Sequence, residues 1–89
     1  MTVHGILLDI HALEEELIQF ERKYGLRSEI FYTSYIRGEE PENENWMLDF
    51  GEWASIYKTW LIRQAEYRDE IQSLKARNQN LSELIRIAA

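Results

Sequence analysis

The chain has 89 residues, 45% of them hydrophobic and 12% aromatic, a composition that predicts one folded domain with its own core and excludes wholesale disorder. It contains no cysteine and no apolar run as long as a membrane span, so disulfides, thiolate metal sites and membrane association are not expected. The net charge is −6, and residues 1–60 carry twelve acidic against five basic side chains, so we expect a basic protein partner and no direct nucleic-acid binding.

The first predicted element is an amphipathic helix over residues 4–24. Its apolar side chains recur at intervals of three or four residues, at Ile6, Ile10, Leu13, Leu17, Phe20 and Tyr24. Gly25 follows as a left-handed C-cap. We expect this helix to begin between His4 and Asp9, which leaves residues 1–8 either helical or extended.

A second, shorter helix is predicted to begin at Ser28 as its N-cap and to end near Ile36, just before Gly38. It should close one end of the core, because too many of its side chains are apolar or aromatic to be left in water: Ile30, Phe31, Tyr32 and Tyr35. An acidic loop follows as far as Asn45, and either Asn43 or Asn45 is expected to cap the next helix.

Residues 46–88 are predicted to form one long helix with an unbroken heptad pattern. With Phe50 at position a, the a and d positions are mostly apolar or aromatic from Trp53 to Ala88. The apolar face is broad up to Leu61, as in a helix covered by more than one neighbour. After Gln64 it narrows to the a and d line between long charged side chains, which is typical of a two-helix coiled coil.

We therefore predict an all-α fold in a single helical domain. Residues 1–63 form a globular head, in which two helices pack on the first half of a long third helix, and residues 64–89 continue that helix as a coiled-coil oligomerisation tail. In the head, the predicted core contacts join the first helix to the third, between Leu13, Leu17 and Phe20 on one side and Phe50, Trp53 and Tyr57 on the other.

The tail has no remaining part of the chain to cover its apolar seam, so we expect a homodimer. The seam residues are Tyr67, Ile71, Leu74, Asn78, Leu81 and Ile85. An asparagine at position a fixes register in parallel dimers. The flanking charges nevertheless leave parallel and antiparallel arrangements open, as well as coverage by a different protein.

No motif for catalysis, cofactor binding or metal binding is recognisable in the sequence. The serines stand outside any nucleophile elbow, the four glycines are scattered singly, and His11 and Glu15 lie one helical turn apart with no third ligand nearby. The start of the chain lacks a signal-peptide pattern. We therefore expect a non-catalytic cytoplasmic protein without cofactor or metal.

Three tryptophans within fifteen residues provide more aromatic surface than a small bundle can cover. We therefore expect Trp46 and Trp60 to contribute to a partner-binding surface, where aromatic residues are enriched. The same surface is expected to include the acidic loop residues Glu39, Glu40, Glu42 and Glu44. Stacking of these aromatics on single-stranded nucleic acid is the alternative, and the acidic surroundings disfavour it.

Two segments, FERKYGLRSEIF at residues 20–31 and DFGEWASIY at residues 49–57, resemble a group of small all-helical prokaryotic proteins encoded beside toxin-like genes. The shared pattern is a helix ending in Lys-Tyr-Gly, a Ser-capped helix with acid and Phe, a Gly-Glu loop, and an acid-Phe-x-Glu-Trp start to a long helix. Matching residues are Lys23, Tyr24, Gly25, Ser28, Glu29, Phe31, Gly38, Glu39, Asp49, Phe50, Glu52 and Trp53. The resemblance covers residues 9–60, and Arg27 and the longer loop around Pro41 depart from it.

The resemblance implies an antitoxin-like protein that neutralises a toxin, such as a nuclease, within a prokaryotic two-gene module. It leaves open whether the tail also contacts operator DNA. The alternative function is a structural or adaptor coiled-coil protein, whose head recognises a partner and whose tail sets the oligomeric state.

Overall fold

The computed structural model describes residues 2–77 and 80–88, without the side chain of Ala88. In this part of the chain there are four α-helices, α1 (Val3–Tyr24), α2 (Ser28–Ile36), α3 (Met47–Arg77) and α4 (Leu81–Ala88), and a 3₁₀ turn (Glu44–Trp46) precedes α3. The all-α prediction is confirmed, and so is the long helix that packs against the earlier helices. None of these helices is long and apolar enough to cross a membrane.

Helix α1 begins earlier than predicted, because Thr2 caps it. The Thr2 hydroxyl accepts a hydrogen bond from the Gly5 backbone N–H at 3.0 Å, which satisfies one of the free donors of the first turn. Residues 3–8 are therefore helical and not extended. At the other end, Gly25 adopts the predicted left-handed conformation with φ 71°, and its N–H donates to the Glu21 carbonyl.

The prediction that Ser28 caps α2 is wrong. Arg27 occupies the cap position and makes no side-chain capping bond, whereas Ser28 is the first helical residue and is buried. The backbone N–H and the hydroxyl of Ser28 both donate to Glu21 Oε2, at 3.0 and 2.7 Å. A carboxylate from α1 thus satisfies the N-terminus of α2, where the helix macrodipole favours a negative charge.

Helices α1 and α3 run antiparallel and form the largest contact in the head. Near one end Lys23 pairs with Asp49 at 2.6 Å, and near the other Arg63 pairs with Asp9 at 3.4 Å. Continuing this register places Ile6, which is buried, opposite the turn of α3 that contains Tyr67. Because Thr2 caps α1 and the helix begins at Val3, α1 reaches the turn of α3 that follows Gln64.

Trp53 lies at the centre of the core and is completely buried. Its ring stacks on Phe31 of α2, with 3.9 Å between centroids and 1° between planes, and on Phe20 of α1 at 5.7 Å. Leu17 belongs to the same buried cluster, as predicted, whereas Leu13 is half-buried and lies outside it. One indole therefore holds all three helices of the head together.

Substituting Ser28 with alanine is expected to lower the free energy of unfolding by about 1–3 kcal/mol. The Trp53 indole N–H donates to Ser28 Oγ at 3.0 Å, and in a fully buried site the alanine variant leaves this donor unpaired. Urea-induced unfolding measures the loss. Ser55→Ala, on the exposed face of α3, is the matched control and should be nearly neutral; an equal loss in both variants would contradict the role of the buried hydrogen bond.

The prediction of one unbroken helix from Trp46 to Ala88 is wrong. Helix α3 ends at Arg77 and α4 begins at Leu81, where the Asn80 side chain accepts a hydrogen bond from the Glu83 N–H at 2.9 Å. Asparagine is a weak helix former but a strong N-cap, so it starts a new helix. A continuous helix would measure roughly 64 Å. The described residues extend over only 51 Å, so α4 does not prolong the axis of α3.

Candidate functional site

The head contains an open cleft of about 300 Å³ between α2, the acidic loop and the start of α3, which we call the loop cleft. Its apolar lining includes Leu26, Ile30, Phe31, Tyr35, Trp46 and Phe50, and its acidic rim consists of Glu39, Glu40 and Glu42. Of the six residues predicted to bind a partner, the structure thus brings together Trp46 and these three glutamates. Glu44 lies beside them in the 3₁₀ turn and is exposed.

The acidic rim is positioned by the turn that ends α2. Gly38 has φ 94°, a conformation that a residue with a side chain rarely adopts, and its N–H donates to the Tyr35 carbonyl at 3.1 Å. The next residue, Glu39, donates its N–H to the Ser34 carbonyl at 3.3 Å. The chain therefore folds back over the aromatic floor, and the half-buried Pro41 faces the floor while the glutamates remain exposed.

The floor of the loop cleft is continuous with the core. Phe31 contacts Tyr35 and Phe50, with ring centroids 5.4 and 5.0 Å apart, and Phe31 itself stacks on the buried Trp53. Trp46 packs on Phe50 at 6.1 Å but keeps 38% of its surface exposed. The aromatic rings of the cleft are thus held in place by packing before any partner binds.

The loop cleft also has apolar side chains whose exposure to water is energetically unfavourable. Leu26 is 44% exposed and Ile30 is 54% exposed, and both line the cleft together with Trp46. Met47 is also exposed and lines a neighbouring opening that shares Tyr35 and Phe50 with the cleft. Exposed apolar side chains grouped in this way beside polar residues are typical of a protein-binding site.

The carboxylates around the loop cleft carry negative charge that the head does not neutralise. Ion pairs among the described residues involve Asp9, Glu21, Glu29, Asp49 and Glu66 as the acids. In residues 2–77 and 80–88, neither the three rim glutamates nor Glu44 takes part in such a pair. The cleft therefore combines apolar surface with unpaired acid groups.

Trp60, the other tryptophan predicted to bind a partner, lies in a separate cleft of about 230 Å³ between α1, α2 and α3. It is half-buried, stacks on Tyr57 at 5.4 Å and donates its indole N–H to Glu14 Oε2 at 3.2 Å. Arg27 lines the same cleft and lies 3.9 Å from the Glu21 carboxylate. This second cleft thus already contains a cation, and its tryptophan already has a hydrogen-bond partner.

Tyr24 is a supporting residue of the loop cleft that the sequence did not single out as functional. Its hydroxyl donates to Asp49 Oδ2 at 2.5 Å, next to the Lys23 ammonium, and its ring packs edge-on against Trp46 and Phe50. The pair joins the end of α1 to the start of α3 and so fixes the Trp46 side of the cleft. Tyr24 belongs to the Lys-Tyr-Gly motif and Asp49 to the acid-Phe-x-Glu-Trp motif. The sequence contains both motifs, and the structure shows that they contact each other.

Leu26 and Ile30 are site residues that the sequence did not identify, since Ile30 was expected to help close the core and nothing was predicted for Leu26. They are four residues apart, and the left-handed Gly25 redirects the chain so that both side chains line the cleft. An apolar residue directly after a glycine C-cap usually packs back on its own helix. Sequence alone therefore did not distinguish a core position from an exposed one.

The Tyr24 and Asp49 pair should make the stability of the head depend on pH. Burial, together with the hydrogen bond and the charge of Asp49, raises the pKa of Tyr24 from 10.0 to about 12. The neutral phenol is thus favoured by folding, so its contribution is complete below pH 10 and is lost as the pH rises towards 12. Thermal unfolding of Tyr24→Phe should show a smaller decrease in Tm over this interval than the wild type; equal decreases would contradict the assignment.

At acid pH the same pair makes the stability of the fold decrease as the pH falls, the opposite direction to the alkaline effect. Hydrogen bonds from Lys23 and Tyr24 lower the pKa of the Asp49 carboxyl below its usual value of 3.8. Asp49 therefore stabilises the fold above this pH and loses its contribution as the pH falls below it. Burial also raises the pKa of Tyr57, so some alkaline loss should remain in Tyr24→Phe.

The seam residues of the tail differ widely in exposure. Tyr67, Ile71 and Leu74 on α3 are half-buried, whereas Leu81 and Ile85 on α4 are largely exposed. Asn78, the sixth predicted seam residue, lies outside the described residues. Arg68 and Lys75 border a shallow groove along Tyr67 and Ile71.

The groups that converge at the loop cleft are apolar, aromatic and acidic side chains. Across the described ranges, no three His, Asp or Glu side chains are arranged to hold a metal ion. The charged and aromatic groups that do converge, at the loop cleft, are suited to contact with another macromolecule. No protein-family model matches the chain, and no curated protein or solved structure shows significant similarity to it.

Proposed function

We propose that the protein is a non-catalytic protein–protein interaction module of the prokaryotic cytoplasm and that the loop cleft is its partner-binding site. The observation that carries the proposal is the combination in this cleft of a preformed aromatic floor, exposed Leu26 and Ile30, and three unpaired glutamates. Aromatic residues packed in a pocket are the usual centres of binding energy in protein interfaces. Acidic rims favour a basic partner and accelerate its association.

Among such modules, an antitoxin-like role is the one that the sequence resemblance favours. The head would cover the basic face of a small toxin, for example the RNA-binding face of a nuclease, and would block it sterically. The excess of acidic residues in positions 1–60 supports this, since a surface that binds RNA attracts carboxylates as well. The same excess argues against direct binding of nucleic acid by the head.

We further propose that the tail joins two copies of the chain into a homodimer. The support is the exposed apolar face of α4, where Leu81, Ile85 and Ile87 are each more than half exposed. These residues also favour the alternative function, a structural or adaptor protein in which oligomerisation is the main task. The two functions differ in their partner: an adaptor needs no toxin.

Co-expression with the tagged product of the adjacent gene tests the proposed function. We expect a stoichiometric complex that survives affinity purification and gel filtration and that weakens as salt is added. Arg27→Ala, in the second cleft, should leave the complex intact and serves as the control. The absence of any complex, with both proteins folded, would contradict the antitoxin-like role and favour the adaptor.

A further inference from the structure

We infer that the loop cleft accepts an amphipathic, cationic α-helix of the partner, with one row of apolar side chains flanked by Lys or Arg. The inference rests on the proposed function, because it names the part of the partner that the same cleft would bind. It follows from the shape, the backbone and the charge of the cleft.

The apolar groups of the cleft suit a row of side chains more than a single one. Leu26 and Ile30, four residues apart, line the cleft together with Tyr35 of α2, and Trp46 and Phe50 line it from the 3₁₀ turn and the start of α3. Beyond Pro41 a second opening of about 340 Å³ continues over the same floor towards Met47. Residues spaced by three or four on a helix form such a row and fill adjacent depressions in a groove.

The backbone of the head favours a helix over an extended segment as the occupant. An extended peptide that binds by adding a strand needs a sheet edge to pair its backbone N–H and C=O groups, and the described residues contain no strand. A helix satisfies these groups internally. It can therefore enter an apolar cleft without leaving backbone groups unpaired.

The charges of the cleft specify the flanks of that helix. Glu39, Glu40 and Glu42 line the cleft and form no ion pair among residues 2–77 and 80–88. Lys or Arg on the facing flank of the helix would neutralise them. Helix α4 of a second copy is a weaker candidate, since its eight residues carry one acid and one base and do not complement three carboxylates.

Fluorescence anisotropy with the full chain and a labelled synthetic peptide tests the inference. The probe is a helix of about five turns with leucines at intervals of three and four and lysines on both flanks. A second peptide has the same composition in permuted order, so that the leucines no longer share a face. We expect saturable binding of the first peptide and at least roughly tenfold weaker binding of the second, as loss of an apolar row implies.

Substitutions then locate the binding. Glu39→Gln, Glu40→Gln and Glu42→Gln combined should weaken the probe on the order of tenfold, because three exposed charge pairs are lost. The matched control combines Glu15→Gln, Glu16→Gln and Asp69→Asn, all exposed and remote from the cleft, and should change affinity less than about twofold. Ile30→Ser should also weaken the probe, and Leu8→Ser, of equal exposure on α1, should not.

Three outcomes would overturn the inference. The permuted peptide could bind equally well, the control substitutions could weaken the probe as much as the cleft substitutions, or a peptide of residues 81–88 could compete as strongly as the cationic probe, which would make a second copy the occupant. The proposed function fails separately. If the adjacent gene product forms its complex regardless of the cleft substitutions, the inference and the assignment of the partner site to the loop cleft are both overturned, and only the role as an interaction module stands. If it forms no complex while the probe binds as expected, the inference is supported and the proposed partner is wrong.

Discussion

Replacing Trp53 with alanine is expected to lower the free energy of unfolding by about 3–5 kcal/mol, the range found when a buried Trp or Phe is truncated. The ring is completely buried and stacks on Phe31 of α2 and Phe20 of α1. Alanine leaves a cavity in the core where side chains of all three helices of the head pack together. For a small domain of ordinary stability, this loss removes a large part of the total.

Urea-induced unfolding followed by circular dichroism measures this effect. Trp53→Phe is the informative comparison, since it keeps an aromatic ring in the stack but loses part of the ring volume and the indole N–H that donates to Ser28. Its cost should be smaller than that of Trp53→Ala, because the cavity is smaller. A Trp53→Ala variant that melts within a degree or two of the wild type would show that this ring does not organise the core.

Changing Leu81 and Ile85 together to lysine is expected to convert a dimer into a monomer. Both residues are largely exposed within one chain, so the substitutions should leave the fold of that chain intact. A dimer built on this seam would lose four apolar side chains, each contributing up to about 1.5–3 kcal/mol when fully buried. Four lysines would take their place and repel one another.

Light scattering should give twice the chain mass of 10.7 kDa for the wild type and once that mass for the variant. Ile36→Lys with Leu48→Lys is the matched control, because these exposed residues lie on the head, and it should remain dimeric. Substitution is preferable to truncation after Gln64, which would remove the part of α3 that lies opposite Ile6. A dimer that survives both lysines would place the interface elsewhere.

Helix faces and several caps could be predicted because they depend on neighbours in the sequence. The three-and-four spacing located α1, and Gly25 marked its end by a local conformational rule. Heptad spacing, in contrast, reports which face is apolar and not whether the backbone is continuous. The spacing therefore gave no indication that a new helix begins after Asn80, although the sequence contains a capping asparagine followed three residues later by Glu83.

The polar contacts of the head could not be predicted, since their partners lie far apart in the chain. Ser28 has the residue type of an N-cap, but Glu21 and the Trp53 indole engage its hydroxyl instead. Glu14 belongs to a run of three glutamates on α1, yet it accepts a hydrogen bond from Trp60. Which tryptophan remains exposed depends on such tertiary partners and not on its local sequence.

Within the candidate site, the acidic rim and Trp46 could be predicted from composition, because a run of glutamates beside a proline forms a loop that stays exposed to solvent. The apolar residues of the cleft, Leu26 and Ile30, could not be predicted. Leu26 and Ile30 have the residue types of core positions, and only the orientation of α2 against α3 leaves them half exposed. That orientation is set by the stacking of Trp53 on Phe31, a contact between distant residues that local sequence patterns do not predict.

Hydrogen exchange of the full chain, with and without the adjacent gene product, tests the central proposal most directly. Binding at the loop cleft predicts slower exchange at the amides of residues 26–50 and unchanged exchange in α4. Protection confined to residues 64–77 and 80–88 would contradict a recognition site on the head, and it would make the tail the only interface of the protein.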